Sequence, residues 1–362
     1  MATVTDTLIQ GLTDKMVQAR IDSIDVKPFN FGTLFPVKKV NGFSWKMLAN
    51  AAGAKNVAAD VHADNGSIIR KKRQLFESAQ GDIPFISISR EMKRSEIKEY
   101  QTAAALAQGG DAIALVDYWG NDVDFCFNGV QAELEFIALK LMSGAGKLAF
   151  TANNNATFAA EFDLDYSVDA AMKRATTTDW GTAATADILG DLATLVQYAK
   201  GKNRNPKFAF VSLNTFYKIV SADQIIKKCA TLVENSVGVA SSPDLKTLNA
   251  MLVKQAWLNG LQFVVIDQDI TRETIDGTQT TGNPFDDDIL VLSDTLVQGS
   301  TQYDILNVDN PSIIRAERSH TVVKKYGTIE PTSEVTIGEA DAVPVFNNAY
   351  KNLYVKTNAV SW

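Results

Sequence analysis

Residues Asp111 to Ser143 read DAIALVDYWGNDVDFCFNGVQAELEFIALKLMS, and this stretch decides the fold. Val116, Trp119, Val123, Cys126, Val130, Leu134, Ile137 and Leu141 recur every three or four residues, the period of a helix that buries one face. At a rise of about 1.5 Å per residue the stretch predicts a rod of roughly 50 Å. Asp111, after Gly109-Gly110, is the expected N-cap, and Gly144 or Gly146 the stop. Gly120 and Gly129 each cost about 1 kcal/mol relative to alanine inside a helix, so they are expected to permit a close approach or a bend. A rod of this length is scaffolding rather than a catalytic cleft.

Upstream, residues 1–40 read as a polar arm expected to rest on a partner surface. Thr7 to Ile21 is read as an amphipathic helix with Leu8, Leu12 and Met16 on one side. The arm leads into Pro28-Phe-Asn-Phe-Gly-Thr-Leu-Phe-Pro36, where Phe29, Phe31 and Phe35 lie between two prolines that disfavour a helix. Such rings must be covered, either by a neighbouring subunit or by this chain's own core. Phe43, Trp45 and Met47 alternate with Ser44 and Lys46 as in a half-buried strand, and Ile83 to Ile88 suggests the returning strand. Between them lies a small, polar tip containing His62 and the cluster Arg70-Lys71-Lys72-Arg73. The whole reads as a projecting two-stranded loop, which is marginal in isolation and should lie on something else. Arg90, Lys93, Arg94 and Lys98 carry positive charge into a short helix, either as a solvated face with Glu91, Glu96 and Glu99 or as a strip meeting an acidic neighbour.

Downstream, Lys147 to Tyr166 reads as paired strands around Asn153 to Asn155. A mixed α/β region follows: a helix capped by Thr185, the strand Phe208 to Leu213, two short helices through Val233, and a helix with Pro243 in its first turn. The strand Leu261 to Asp267, a threonine-rich loop or hairpin from Asp269 to Asp288, and the strand Ile289 to Ser293 complete it. Strands at Ile313 to Glu317, Val335 to Ile337 and Leu353 to Lys356 are expected to return beside the long helix.

Chemistry is sparse. The chain has 362 residues, a formal charge of -7, and two cysteines, Cys126 and Cys229, with no metal-binding spacing. The acidic balance argues against an extended nucleic-acid groove, and no run approaches the roughly 18 apolar residues of a membrane span. A soluble, cytosolic product is expected. His320 has no GxSxG elbow to make it part of a triad, and two histidines at these positions cannot form HExxH. Gly144-Ala-Gly-Lys-Leu-Ala149 has the letters of a dinucleotide fingerprint but follows a helix and precedes a strand, the reverse of the required order. Glu161, Asp163 and Asp165 share one face of a strand and read as a wet edge. No catalytic residue, cofactor site or metal site is expected, and the chain is read as not an enzyme.

The order of parts resembles the major capsid proteins of tailed double-stranded DNA phages, the Hong Kong-97-type fold, and is most similar to its lambda-like branch. The resemblance is carried by Leu34-Phe-Pro36, the helix Asp111 to Ser143, Asp179-Trp180 followed by Asp187-Ile-Leu189, the stretch Pro206 to Val220, and Asp288 to Ser293. It implies an α+β fold with an N-terminal arm (1–40), an extended β-hairpin loop (41–98), a peripheral domain with a long spine helix (99–172), an axial α/β domain (173–309) and return strands of the peripheral domain (310–362). It further implies self-assembly into hexamers and pentamers of an icosahedral virion shell, built in the host cytoplasm. Scaffold, portal and decoration proteins would be partners, and packaged DNA would be contacted without sequence specificity. The residues expected at subunit interfaces are Phe29, Phe31, Phe35, Trp45, Arg70, Lys71, Lys72, Arg73, Arg90, Lys93 and Arg94. The alternative within the same fold is an encapsulin-like nanocompartment shell that stores protein cargo.

Overall fold

The computed structural model describes residues 4–26, 29–49, 77–106, 112–151, 155, 162–230, 242–274, 276–307 and 310–362. In chain order the elements begin with β1 (Val4–Thr5), α1 (Asp14–Ser23), α2 (Phe31–Leu34), β2 (Val37–Lys39), β3 (Ser44–Ala49), β4 (Glu77–Asp82), β5 (Phe85–Lys93), α3 (Arg94–Leu106) and α4 (Ala112–Ser143). Then come β6 (Lys147–Leu148), β7 (Leu164–Asp165), β8 (Lys173–Ala175), α5 (Ile188–Gly201), β9 (Phe208–Ser212), α6 (Leu213–Ser221), α7 (Asp223–Ala230), α8 (Leu245–Val253) and β10 (Gln262–Ile266). The remainder is strand: β11 (Ile270–Glu273), β12 (Gln279–Gly282), β13 (Ile289–Ser293), β14 (Ser300–Asp304), β15 (Ile314–Arg318), β16 (Thr321–Ile329), β17 (Thr332–Val345) and β18 (Leu353–Lys356). The chain divides into two units: Met1–Trp45, Gly81–Ala138 and Ser300–Val345 form one, and Lys46–Gln80, Leu139–Gly299 and Phe346–Trp362 the other.

The apolar seam folds into α4 as its period predicts, with Trp119, Val123, Cys126, Val130, Leu134, Ile137 and Leu141 buried. The expected cap Asp111 lies outside the described residues. At the other end the Gly144 N–H donates to the Lys140 carbonyl and the Gly146 N–H to that of Leu141, both at 2.8 Å. A Cβ on Gly144 would sit 2.5 Å from the Lys147 carbonyl oxygen, so only glycine fits this stop.

The first unit is a seven-stranded sheet in the order β1-β16-β17-β14-β2, with β15 added to β16 and β5 to β17. α4 meets this sheet at a notch. A Cβ on Gly338 of β17 would lie 2.2 Å from the Cys126 carbonyl oxygen, and one on Gly129 would lie 2.7 Å from Ile88 Cδ1. Gly338 and Ile88 are paired across β17 and β5. Cys126 and Gly129 are three apart and share a helix face. One glycine on each element therefore lets the other approach, which answers what Gly129 is for: close approach.

The arm lies along its own body, a support that the sequence reading did not foresee. β1 pairs antiparallel with β16, and buried Glu334 accepts hydrogen bonds from Thr7 Oγ1 at 2.5 Å and the Leu8 N–H at 2.8 Å. Gly11, at φ +80°, and extended Thr13 delay the helix to Asp14. It buries Val17 and Ile21 while Met16 is exposed, so the expected face is corrected. Gln18 brackets the backbone of Glu317, accepting from its N–H at 3.0 Å and donating to its carbonyl at 2.9 Å. Arg20 reaches Asp124 of α4 through two nitrogens.

The second unit holds a five-stranded sheet, β10-β9-β13-β18-β8, beside α5 to α8. α5 and α8 start two residues from where the sequence places them. Asp187, not Thr185, caps α5 through the Gly190 N–H, and Asp244 caps α8, leaving Pro243 ahead of the helix. Leu353–Lys356, expected beside the long helix, joins this sheet between β13 and β8. Ile83 to Ile88 is likewise reassigned: β4 pairs with β3, while β5 runs along β17. The threonine-rich stretch is the hairpin β11–β12.

Candidate assembly surface

β5 carries the polypeptide from the base of the β3–β4 hairpin to α3, and its pattern is that of a strand with one bare side. Phe85, Ser87, Ser89, Glu91 and Lys93 are exposed, whereas Ile86 and Ile88 are half-buried and Met92 is buried. Phe85 is 58% exposed and Phe43, at the hairpin base, 45%. These are two of the exposed aromatic rings of this unit, with Tyr118 at 39% and Phe125 at 42%.

Further along the same strand stands the basic strip, which runs into α3. Arg90 stacks over the Phe125 ring, 4.2 Å from its centroid, and reaches Asp122 of α4 at 3.5 Å. Burial pushes the Asp122 carboxyl up, against the pull of Lys325 and Arg90. Among the described residues neither Lys93 nor Arg94 has an ion-pair partner, and both are exposed. Arg90, Glu91, Met92, Glu96, Glu99, Tyr118, Asn121 and Asp122 line a shallow groove of about 580 Å³. Arg70, Lys71, Lys72, Arg73 and His62 lie outside the described residues.

The aromatic anchors behave differently from the expectation. Phe31 is 4% exposed and Phe35 fully buried, both in this chain's first unit, so neither is available to a neighbouring subunit. The reason is α2, a single helical turn between the two prolines that aims Phe31, Leu34 and Phe35 inward. Its free N–H groups are taken by Glu135 of α4, which accepts from the Asn30 and Phe31 backbones at 3.1 and 2.6 Å and from Asn30 Nδ2 at 2.9 Å. Phe29 is half-buried, its ring 6.4 Å from that of Phe31. Trp45 is also enclosed, lying so close to Gly81 that a Cβ there would come within 2.9 Å of its Nε1. Trp45 is therefore a clamp inside the hairpin base and not an interface anchor. Trp45→Ala is expected to cost about 3 kcal/mol, read as loss of amide-exchange protection in Ser44–Ala49 and Glu77–Asp82.

Glu135 was not legible as a functional group in the sequence. Its only local signal is a carboxylate between the apolar residues Leu134 and Phe136, in a helical half whose neighbours are buried. Burial raises its carboxyl, opposed by the hydrogen bonds from Asn30 and Phe31.

Of the residues singled out for chemistry, Glu161 lies outside the described residues. His320 lies against the rings of Phe31 and Tyr303, and burial lowers its pKa to about 4. Asp165 pairs with Lys147 at 2.8 Å, and Asp163 accepts the Phe150 N–H at 2.7 Å. Among the described residues no three His, Cys, Asp or Glu side chains gather as a metal site, and no helix is long and apolar enough to cross a membrane.

No family model matches the sequence, and no curated protein matches it. Solved structures do. A protein assigned as the capsid protein of a prophage of Escherichia coli CFT073 is similar with a TM-score of 0.55 at 12% identity, covering 95% of this chain and 99% of its own. A phage-related protein from Bordetella bronchiseptica RB50 gives 0.53 at 13% identity, over 99% of both chains. The fold is that of phage capsid proteins, α+β and of the Hong Kong-97 type. The capsid of cyanophage A-1(L) shares it with a TM-score of 0.50, at 12% identity over 94% of this chain and 95% of its own. Identities this low carry the capsid fold alone.

Proposed function

We propose that this chain is the major capsid protein of a tailed double-stranded DNA phage, a structural subunit that builds the hexamers and pentamers of an icosahedral shell. The observation that carries the reading is the likeness to a prophage capsid protein across 95% of the chain, which leaves little of the sequence for another role. The proposed assignment of parts is arm 1–40, extended loop 41–98, peripheral domain 99–172 and 310–362, and axial domain 173–309, with Leu353–Lys356 lending its strand to the sheet of the axial part. The bare rings of Phe43 and Phe85 and the strip Arg90, Lys93 and Arg94 are the proposed contact residues on the described surface, and Arg70, Lys71, Lys72 and Arg73, outside the described residues, are proposed as contacts from the sequence alone.

Physically, each subunit would make several modest contacts, and closure of the shell would make them cooperative, since removing one subunit breaks all of its contacts together. A chain with a formal charge of -7 would hold packaged DNA weakly and without sequence readout. Scaffold, portal and decoration proteins are the further partners, and assembly would take place in the host cytoplasm.

Electron microscopy of the purified chain, expressed with and without scaffold, tests this. Closed shells are expected, and a chain that stays monomeric in both preparations overturns the proposal. Shells that carry a specific protein cargo and no DNA would point to the encapsulin-like alternative. Reversing charge at Lys93 and Arg94 together is expected to lower shell yield at least tenfold while leaving the melting temperature of the free subunit within about 2 °C, because exposed charges contribute little to folding. Equal loss of both would remove the strip from the proposed interface.

A further inference from the structure

His320 is 5% exposed, at the turn between β15 and β16, and neither of its ring nitrogens has a hydrogen-bond partner among the described residues. Its ring meets Phe31 of α2 edge-on, with centroids 5.9 Å apart and planes at 84°, and Tyr303 of β14 at 6.1 Å and 68°. The next residue, Thr321, is bonded to buried Gln131 of α4, at 2.8 Å, so that amide is engaged elsewhere. A neutral imidazole fits this apolar slot. An imidazolium would bring two N–H donors and a charge into a place with nothing to receive them, and burying an unpaired charge is among the costliest changes a core can undergo.

We propose that His320 is a proton-operated pin for the segment Asn30–Val40, holding it on the sheet while neutral and releasing it when protonated. Phe31 is the contact that links them: its ring lies on His320, and four residues later the Phe35 carbonyl accepts from Thr301 Oγ1 at 2.9 Å, beside the parallel pairing of β2 with β14. Moving His320 outward displaces both its neighbours, Phe31 and Tyr303, and so loosens the pairing of β2 with β14.

The groups facing the imidazole do not offset this. α2 brings no titratable side chain, and β14 brings Tyr303 and, at its end, Asp304, whose carboxyl is held below its usual value by the N–H groups of Gly42 and Ile305. On the same turn, Arg318 is directed to the carbonyls of Ile21 and Ile24, at 2.8 and 2.7 Å. Glu135 of α4 acts in the opposite sense: its carboxyl is raised in the folded chain, so protonating it with acid favours the folded state and cannot be the cause of acid release. For His320 the folded-state value is lowered from 6.5 to about 4, so the stability tied to its neutral form is present above 6.5 and is lost as pH falls towards 4.

The test is hydrogen exchange by mass spectrometry on the full chain, following peptides that cover residues 29–40 at about pH 7 and about pH 4.5, corrected for intrinsic exchange. From the two values, 6.5 and about 4, opening of this segment should increase roughly fiftyfold over that interval. His320→Phe and His320→Leu, which cannot take a proton, are expected to keep the segment protected at the lower pH. Unchanged protection in the wild-type chain, or an equal loss in wild type and variants, overturns the proposal. If neither variant folds, the imidazole signal of His320 is followed by NMR in a His62→Ala background. A folded-state titration near 6.5 overturns the pin, and an imidazole that stays neutral until the segment begins to exchange supports it.

Discussion

Gly338→Val is expected to leave no soluble folded chain, and Gly338→Ala to cost about 3 kcal/mol or more in urea denaturation. The obstacle is backbone, not a side chain that can swing away: a Cβ at Gly338 would stand 2.2 Å from the Cys126 carbonyl oxygen and 2.7 Å from its carbon. Relief would require lifting α4 off β17, and with it the seating of Ile88 against Gly129 on the same face. Gly201→Ala is the control, because nothing lies within 4 Å of its added Cβ, and its effect should stay within about 0.5 kcal/mol. A Gly338→Ala chain as stable as that control would show that the helix does not rest on the strand in this way.

The second large effect is expected at Asp191, in the first turn of α5. It is 2% exposed and accepts four hydrogen bonds: from the Thr177 N–H at 2.9 Å, Thr177 Oγ1 at 2.5 Å, Thr178 Oγ1 at 3.0 Å and Trp180 Nε1 at 3.0 Å. Asp191→Ala would strand these donors, including the indole N–H of fully buried Trp180, at a cost of about 3–5 kcal/mol. Asp191→Asn keeps the shape and one acceptor oxygen, so a smaller loss is expected. The readout is the melting temperature together with the near-ultraviolet circular dichroism of the tryptophans. If the alanine variant matches wild type in both, the carboxylate does not organise residues 177–180.

Much of the architecture was legible because it is written locally. The three-and-four spacing from Trp119 to Leu141 fixed the helix, and the alternation of Trp45 and Met47 with Lys46 fixed a strand with one buried side. What escaped is held by residues distant in sequence. Glu334 holds Thr7 and Leu8, Asp124 holds Arg20, and Glu135 holds Asn30 and Phe31, and no window of the arm hints at any of them. The same blindness put Phe31 and Phe35 on a partner. Rings that must be covered announce the need for a cover and say nothing of whose it is. Strand partners failed for a related reason: the β-character of residues 85–88 and 353–356 is plain, but whether they pair with β3, β17 or β13 is set by crossovers that periodicity does not encode. Helix starts slipped by two residues where Thr185 and Asp187, or Ser242 and Asp244, compete for one role.

A leading segment already stowed at home, by the β1 pairing, the Glu334 clasp and the Arg20–Asp124 bridge, has nothing to trade with a sibling molecule. If the chain builds a shell as proposed, copies would be spared tangling through exchanged ends, and joining would fall to the rims that stay bare.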